Sequence, residues 1–306
     1  MKKKSYRVID LFAGIGGIRL GFSNLDCEFV FASEFNKEAC KTYEANFNEA
    51  PYGDISEISE KDIPKFDILL AGFPCQPFSQ AGLQKGLNDT RGTLFFDIKR
   101  IAEYHKPKVI FLENVKRLRT HDKGKTLKII QKTLKSIGYK YIYIDILNAK
   151  DFGVPQNRER IFIVAFQEKV NFKFPEKLNK QTLLKDILEN RDFKKYRISD
   201  KLWDGHKNRK AKNKREGKGF GYSSFNENSP YTNTLTARYY KDGAEILIEQ
   251  DGLNPRLLTP REAARLQGFP DDFKIVCSDI EAYKQFGNSV AIPVIQQIAK
   301  KIFECL

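Results

Sequence analysis

One cysteine between two prolines is the residue in the sequence best suited to nucleophilic chemistry. It lies in the run Gly72-Phe73-Pro74-Cys75-Gln76-Pro77, directly after the apolar stretch 66–70. Each proline fixes its own φ and favours an extended conformation in the residue before it, so the run predicts a defined turn. A lone cysteine is more often a buried structural residue. The glycine, prolines and glutamine around Cys75 instead favour an exposed loop beyond a strand end, where α/β proteins bind ligands.

A glycine turn and two carboxylates follow other predicted strands. The stretch Asp10-Leu11-Phe12-Ala13-Gly14-Ile15-Gly16-Gly17 lies between a strand and a helix, where glycine lets a ligand approach the backbone. Arg19 stands where a dinucleotide fingerprint has its third glycine, which disfavours a nicotinamide cofactor. Glu34 lies about twenty residues further on, the usual position of an acid that binds ribose hydroxyls, although a solvated strand-end acid has the same spacing. Asp54 either meets an adenine amine or caps a turn.

The elements that must position these groups alternate between strands and helices. Strands are predicted over 6–12, 28–33, 66–70 and 107–112, with a short extended piece before Gly53, and an antiparallel edge pair over 139–147 and 160–166. Helices are predicted over 36–47, 94–104 and 126–137. This order predicts an α/β fold with a doubly wound, mostly parallel sheet. Five groups then share the edge formed by the carboxyl ends of the strands: Gly14, Glu34, Asp54, Cys75 and Glu113.

The alternation stops near residue 169, and the following region is basic and polar. Residues 201–218 hold eight Lys or Arg against two acidic residues, with Trp203 and Tyr222 in or beside the run. This composition suits a face that contacts phosphates, but a solvated or disordered basic segment has the same composition. The sequence therefore predicts a catalytic domain over 1–187 plus 283–306, and a target-recognition domain with a hinge over 188–282.

The whole composition indicates a polyanionic partner. The formal net charge of +14 points to nucleic acid, with an acidic membrane surface as the alternative. No apolar run approaches the roughly 20 residues that span a bilayer, and the start of the chain does not read as a signal peptide, so a cytoplasmic location is expected. The five cysteines lack CxxC spacing and the three histidines are scattered, so we expect no metal site and no disulfide framework.

Five motifs in a fixed order give a resemblance to a known family. The sequence is similar to the DNA cytosine-C5 methyltransferases, particularly those of bacterial restriction–modification systems, over nearly its whole length. The region 190–257, which matches no shared motif, corresponds to the variable target-recognition region of that family. The motifs are 10–17, Gly72-Phe73-Pro74-Cys75-Gln76, Glu113-Asn114-Val115, Gln156-Asn157-Arg158-Glu159-Arg160 and Gln285-Phe286-Gly287-Asn288-Ser289-Val290.

The resemblance implies a fold, a reaction and a cofactor. It implies the Rossmann-like fold of S-adenosylmethionine-dependent methyltransferases with a smaller mixed target-recognition domain, and methyl transfer from S-adenosylmethionine to C5 of a flipped-out cytosine in double-stranded DNA. Cys75 would add to C6, Glu113 would meet N3 and the exocyclic amine, and Arg160 would hold O2, with Arg158 and Arg160 favouring the thiolate. The implied cofactor contacts are Phe12, Ala13, Gly14, Gly16, Gly17, Glu34, Phe35, Asp54, Ile55, Pro74, Leu94, Asn288, Ser289 and Val290.

The division of labour on DNA is predicted from residue types. The basic run would position the duplex through phosphates, and the segment 229–243 would read bases. The expected partners are double-stranded DNA and, genetically, a cognate restriction endonuclease, with the protein a monomer. The expected DNA contacts are Gln76, Ser79, Arg91, Lys207, Arg209, Lys210, Thr234, Arg238 and Tyr239.

Other readings stay open at this point. A tRNA cytosine-C5 methyltransferase would share the fold, Cys75 and Glu113, and an orphan DNA methyltransferase would lack a restriction partner. A non-catalytic DNA-binding protein on the same scaffold would be expected to have lost Cys75, Glu113 or Arg160, and the sequence keeps them all.

Overall fold

The computed structural model describes residues 5–73, 94–178, 180, 182–190, 193–219 and 221–306, and these form two compact units. Unit 1 comprises Met1–Leu147, Glu159–Glu176 and Val294–Leu306; unit 2 comprises Asn148–Arg158 and Lys177–Pro293. The functional boundaries expected at 187/188 and 282/283 stay a prediction. In chain order the helices are α1 (Gly17–Phe22), α2 (Lys37–Phe47), α3 (Phe95–His105), α4 (Lys125–Ser136), α5 (Asp200–Arg215), α6 (Pro260–Leu266), α7 (Asp279–Asn288) and α8 (Ile292–Phe303).

Unit 1 is built on a six-stranded sheet with the order β2-β1-β3-β4-β6-β5. Strands β2, β1, β3 and β4 are parallel neighbours, and β6 runs antiparallel to β4. This is the mostly parallel sheet that the sequence predicts, with the last two strands side by side at its edge. The strands are β1 (Tyr6–Leu11), β2 (Cys27–Ser33), β3 (Ile68–Gly72), β4 (Val109–Val115), β5 (Tyr141–Asn148) and β6 (Glu159–Phe166).

Alternate side chains of β4 show how helices cover both faces of this sheet. Ile110 shares one core cluster with Ile98 of α3 and Ile130 of α4. The next residue, Phe111, points to the opposite face, because side chains alternate along a strand. Its ring meets Phe22 of α1 edge-on, with the ring centroids 5.8 Å apart. The carboxyl ends of the parallel strands are left as the edge at which the candidate residues collect.

Two local expectations near this edge are resolved. The extended piece before Gly53 forms a single parallel bridge between Tyr52 and Ser33 and not a strand, so β3, which ends just before the Cys75 run, is the third strand along the chain. Asp54 caps the short 3-10 helix Ile55–Glu57, accepting hydrogen bonds from the Ser56 backbone N–H at 2.9 Å and hydroxyl at 2.8 Å. Asp54 therefore caps a turn, and its expected contact with an adenine amine stays a prediction.

Unit 2 contains a three-stranded sheet, β7-β8-β9, and helices α5 to α7. The basic run, for which no helix is predicted, forms α5; Ser199 caps its start by accepting from the Leu202 backbone N–H, and His206 is its buried residue. In the ranges given above, no helix is long and apolar enough to cross a membrane. The strands are β7 (Ser224–Phe225), β8 (Leu247–Gln250) and β9 (Leu253–Arg256).

Candidate active site

The glycine turn after β1 leaves open space beside its backbone. Phe12, Gly14 and Gly16 all have positive φ, at 58°, 57° and 82°, so the chain turns sharply between β1 and α1. A Cβ built on Gly14 would meet nothing within 4 Å, whereas one on Gly16 would fall 2.2 Å from the Phe47 ring. Gly16 is thus needed for packing, and Gly14 borders a space that a ligand can enter.

Glu34, directly after β2, is bound to this turn. One carboxylate oxygen accepts from the Gly14 N–H at 2.8 Å and the other accepts from the Asn36 N–H at 2.8 Å. Burial raises the pKa of Glu34, and these amide hydrogen bonds oppose the rise. Each carboxylate oxygen keeps a further lone pair, so the group can still accept from the hydroxyls of a ribose. The neighbouring Phe35 ring is 67% exposed and is available for stacking on a base.

Glu113 and Arg160 form a mostly buried pair across β4 and β6. Arg160 Nε lies 3.1 Å from Glu113 Oε1, and the two side chains are 16% and 11% exposed. Burial lowers the pKa of the Arg160 guanidinium, and the Glu113 carboxylate opposes this shift. An arginine stays protonated under such conditions. The pair therefore presents a carboxyl group and a charged donor together at the sheet edge.

Asn114 links this pair to the chain that leads into the cysteine run, a role that the sequence analysis does not identify. Its Nδ2 donates to the Phe73 carbonyl oxygen at 2.8 Å, and Gly72 pairs with Glu113 in the β3–β4 register. The sequence signal for this role is an asparagine at the end of an apolar predicted strand, because a buried amide such as that of Asn114 needs hydrogen-bond partners. Cys75 and Pro74 themselves lie outside the described residues.

Comparison with known proteins identifies the family of this chain. The family model described as "C-5 cytosine-specific DNA methylase" matches residues 6–304. The chain belongs to this family. The Type II methyltransferase M.SsoII of Shigella sonnei is 62% identical over 307 residues, covering 98% of this chain and 81% of that protein. The Type II methyltransferase M.NlaX of Neisseria lactamica is 59% identical over 301 residues, covering 97% and 96%.

The fold comparison agrees with the family. The crystal structure of S. pombe Dnmt2 methyltransferase has a TM-score of 0.81 at 23% identity, over 98% of this chain and 99% of that chain. This likeness shows the fold, and with the family match it confirms the predicted family, fold class and enzyme class. The chain is an enzyme of the cytosine-C5 DNA methylase family.

Arg158 is expected to favour the Cys75 thiolate of this methylase. Within unit 2, however, its side chain binds backbone carbonyl oxygens. Its guanidinium, which is buried, donates to the carbonyl oxygens of Leu235 at 2.9 Å, Gly287 at 3.1 Å and Ser289. Gln156, two residues earlier, accepts from the Leu235 N–H at 3.0 Å. The two side chains tie the segment around Leu235 to the segment before α8, which is a positioning role.

The basic residues expected to contact DNA in unit 2 are partly neutralised. Lys207 pairs with Asp204 at 2.7 Å, and Arg209 pairs with Asp242 at 3.0 Å. Lys210 Nζ lies 4.1 Å from the centre of the Tyr222 ring, in a cation–π contact. These contacts weaken the case for the three residues as free phosphate ligands.

The residues expected to read bases divide into exposed and buried ones. Arg238 is exposed, and Thr234 is half-buried, donating from its hydroxyl to the Asn157 carbonyl oxygen at 2.7 Å. Tyr239 is fully buried; its hydroxyl donates to the Ile246 carbonyl oxygen at 2.7 Å and accepts from the Leu258 N–H at 2.8 Å. The prediction that Tyr239 contacts DNA is wrong, because its polar group is used inside the unit. Gln76, Ser79 and Arg91 lie outside the described residues.

Proposed function

We propose that the protein transfers a methyl group from S-adenosylmethionine to C5 of a cytosine flipped out of double-stranded DNA, through a covalent adduct with Cys75. The observation that carries this proposal is the mostly buried Glu113–Arg160 pair, 3.1 Å apart across β4 and β6, with Glu113 on the strand beside β3, which leads to Cys75. A carboxyl group can meet N3 and the amine of cytosine while a guanidinium meets O2, so together they match the edge of one base.

Residues around the glycine turn would hold the cofactor. Glu34 would accept from the ribose hydroxyls, Phe35 would stack on the adenine, and the open space beside Gly14 would admit the ligand to the backbone; these features fit an adenosine group. When bound, S-adenosylmethionine supplies an electrophilic methyl group. The further contacts in this proposal are Phe12, Ala13, Gly16, Gly17, Asp54, Ile55, Pro74, Leu94, Asn288, Ser289 and Val290.

The chemistry at the base would follow from three side chains. The Cys75 thiolate would form a bond to C6, the C5–C6 π electrons would shift to C4–C5, and the C4–N3 π electrons would take up a proton at N3 from the protonated carboxyl group of Glu113. Arg160 donates to O2 and supplies the positive setting that favours a thiolate, while Arg158 acts through the backbone carbonyls that it binds. Once the methyl group has passed from the cofactor sulfur to C5, the C5 proton would pass to a water molecule, the C5–C6 double bond would re-form and expel the Cys75 thiolate, and N3 would return its proton to Glu113.

The neighbours of Cys75 support its assignment as the nucleophile. Gly72 pairs with Glu113, and Cys75 follows Gly72 by three residues in the sequence, a stretch of chain at most about 11 Å long, which is short enough for the proposed attack on a base bound by Glu113. The hydrogen bond from Asn114 fixes Phe73, immediately before the proline–cysteine run. Asn114 would then position the nucleophile without touching the substrate.

The relatives indicate the biological setting. Proteins 62% and 59% identical to this chain are named Type II methyltransferases, which supports a modification enzyme that protects host DNA from a cognate restriction endonuclease. The endonuclease would be a genetic and not necessarily a physical partner. These names favour DNA over the tRNA alternative; the orphan enzyme, the monomeric state and the cytoplasmic location stay predictions.

A trapping experiment tests the proposal. A duplex that carries 5-fluorocytosine at the target should form a denaturation-resistant complex in the presence of S-adenosylmethionine, because fluorine at C5 cannot leave as a proton does. Cys75→Ser should abolish the complex and nearly all turnover, while Cys305→Ser, at the end of the chain, should behave as the unaltered enzyme. If Cys75→Ser methylates DNA at the wild-type rate, the mechanism is refuted. Bisulfite sequencing of a plasmid from cells that express the gene would give the methylated site.

A further inference from the structure

A strongly basic turn follows the catalytic strand β4, outside the region predicted to recognise DNA. Two short 3-10 helices, Lys116–Arg119 and His121–Gly124, lead from β4 into α4. Residues 116–128 contain one acidic residue, Asp122, against six Lys or Arg. We call these six the basic turn: Lys116, Arg117, Arg119, Lys123, Lys125 and Lys128.

The basic turn is exposed and largely unneutralised. All six side chains belong to exposed residues. Lys116 pairs with Glu159 at 2.8 Å, and within the described parts of the chain no ion pair involves the other five. On α5, by comparison, Lys207, Arg209 and Lys212 each pair with an acidic residue, whereas Lys214 and Arg215 have none among the described residues. The basic turn therefore carries the more available positive charge.

The turn is held in a defined and strained conformation. Leu118 is fully buried, and His121 Nδ1 lies 2.6 Å from the hydroxyl of the buried Thr126. Asp122 and Lys123 both have left-handed backbones, with φ of 46° and 54°, ahead of Gly124 at 82°. Such conformations are unfavourable for non-glycine residues and are concentrated at functional segments. A solvated charge run would not need this anchoring.

The turn begins at the edge of the sheet where the target base is proposed to bind. Val115 pairs with Arg160 in the β4–β6 register, and the Lys116–Glu159 contact follows directly. Lys116 is three residues after Glu113, a distance of roughly 10 Å along a strand. A flipped base stays joined to its own strand, and duplex DNA carries a charge every ~1.7 Å of its axis. A cytosine bound at Glu113 brings its flanking phosphates into the range of this turn.

We propose that the basic turn is a second phosphate-binding surface, which holds the duplex backbone beside the target cytosine. This inference rests on the proposed function, because it needs the base to enter at Glu113. Contacts to phosphates contribute affinity and salt dependence but no sequence information. The turn would hold the duplex at the catalytic edge whichever sequence unit 2 selects.

The test compares two triple variants of equal charge. In the first, Arg117→Ala, Arg119→Ala and Lys123→Ala remove cations of the basic turn and leave the buried Leu118 in place. In the matched control, Lys132→Ala, Lys135→Ala and Lys140→Ala remove exposed cations from the far end of α4 and the residues after it. Circular dichroism and thermal melting establish that both variants are folded.

The readout is the slope of log binding constant against log salt concentration, on cognate and scrambled duplexes. Loss of three phosphate contacts should shallow the slope by about 2.7 for the first variant on both duplexes, and the control should keep the wild-type slope. Lengthening the duplex on one side of the target should increase the affinity of the wild type and not that of the first variant. Equal slopes for the two variants would overturn the inference. It would also be overturned if the first variant lost binding to anionic lipid vesicles but bound both duplexes as the wild type does.

The proposed function is checked separately in the same series. Wild-type protein that traps 5-fluorocytosine while both triple variants show equal slopes refutes only the basic turn. Wild-type protein that fails to trap the base refutes the proposed function itself.

Discussion

At the scale of single residues, Asp10 is a carboxyl group buried near the carboxyl end of β1. It is fully buried, and neither oxygen makes a hydrogen bond of normal geometry within the described residues. Burial raises the pKa of Asp10 to about 7, and the guanidinium and backbone amide of Arg19 oppose the rise. Uncompensated buried carboxylates are costly, so the group is expected to be protonated in mildly acidic solution.

We predict that Asp10 makes the protein less stable as the pH rises. A carboxyl group with a folded-state pKa of about 7 and an unfolded value of 3.8 contributes stability fully below pH 3.8 and loses it progressively up to pH 7. Asp10→Asn should flatten the pH dependence of the free energy of unfolding in this window, by up to ~1.4 kcal/mol per pH unit. Urea unfolding between pH 4.5 and 8 measures this, with the exposed Asp62→Asn as the control. Parallel curves for the wild type and Asp10→Asn would contradict the prediction.

Glu34 supports a second prediction at this scale. Its carboxylate is oriented by the amides of Gly14 and Asn36 beside the space for the cofactor. Glu34→Gln replaces a charged acceptor by a neutral amide, and the loss of one charge-assisted contact costs about 1.5–3 kcal/mol. Calorimetry should show S-adenosylmethionine affinity reduced by tens of fold, and DNA affinity little changed. Glu28→Gln, an exposed residue earlier in β2, should leave both affinities intact. An unchanged cofactor affinity for Glu34→Gln would count against the assignment.

At the scale of elements, the glycine turn between β1 and α1 separates a packing role from a binding role. Gly16 and Gly14 both have positive φ, but a Cβ on Gly16 would collide with Phe47 and one on Gly14 would face open space. Gly16→Ala should therefore destabilise the fold through strain and crowding, by about 2–4 kcal/mol. Gly14→Ala should cost the protein only about 1 kcal/mol and chiefly weaken cofactor binding. Thermal unfolding and calorimetry on both variants distinguish these effects, and equal melting temperatures would contradict them.

The elements also show what the sequence could predict. The helices predicted over 36–47 and 126–137 are present as α2 and α4, and each buries residues against the sheet. Helix α5 has His206 as its buried residue, so no apolar periodicity announces it, and it forms on its Ser199 cap and its helix-compatible lysines. Helices that bury apolar residues were therefore predictable, whereas α5, a polar helix with His206 as its buried residue, was not.

The candidate site divides in the same way. Glu34 and Glu113 were predictable because strand ends collect at one edge of the sheet. The role of Arg158 was not, since its acceptors are backbone carbonyls that lie 77, 129 and 131 residues further along the chain. Tyr239 was misassigned because a tyrosine hydroxyl suits either DNA or buried partners, and only the fold supplies the buried ones.

At the scale of the whole molecule, the net charge of +14 is not uniformly available to DNA. On α5, Lys207 and Arg209 are paired and Lys210 lies on an aromatic ring. Lys214 and Arg215 have no acidic partner among the residues described, so the phosphate contacts of this helix are expected at its end. The salt dependence of DNA binding should therefore follow these residues more closely than the sum of the charges.

Sequence choice is expected instead from Arg238, which belongs to unit 2 with α5. It is exposed and has no ion-pair partner in the described part of the chain. The residues around it are fixed, since Tyr239 is buried and Gln156 and Arg158 hold Leu235. A forked donor on a rigid segment suits a guanine edge, for which arginine is the commonest partner.

We predict that Arg238→Ala and Lys214→Ala have different effects on DNA binding. Arg238→Ala should cost about 1–3 kcal/mol on the proper site and relax discrimination at one position, because it removes a base contact. Lys214→Ala should weaken binding to every duplex alike and shallow the salt slope by about one, because it removes a phosphate contact. Lys210→Ala should change the slope less than Lys214→Ala does, because the ammonium group of Lys210 already contacts the Tyr222 ring. Titrations on cognate, singly mismatched and scrambled duplexes at several salt concentrations measure all three. The division of labour fails if Lys214→Ala alters site preference while Arg238→Ala lowers affinity uniformly.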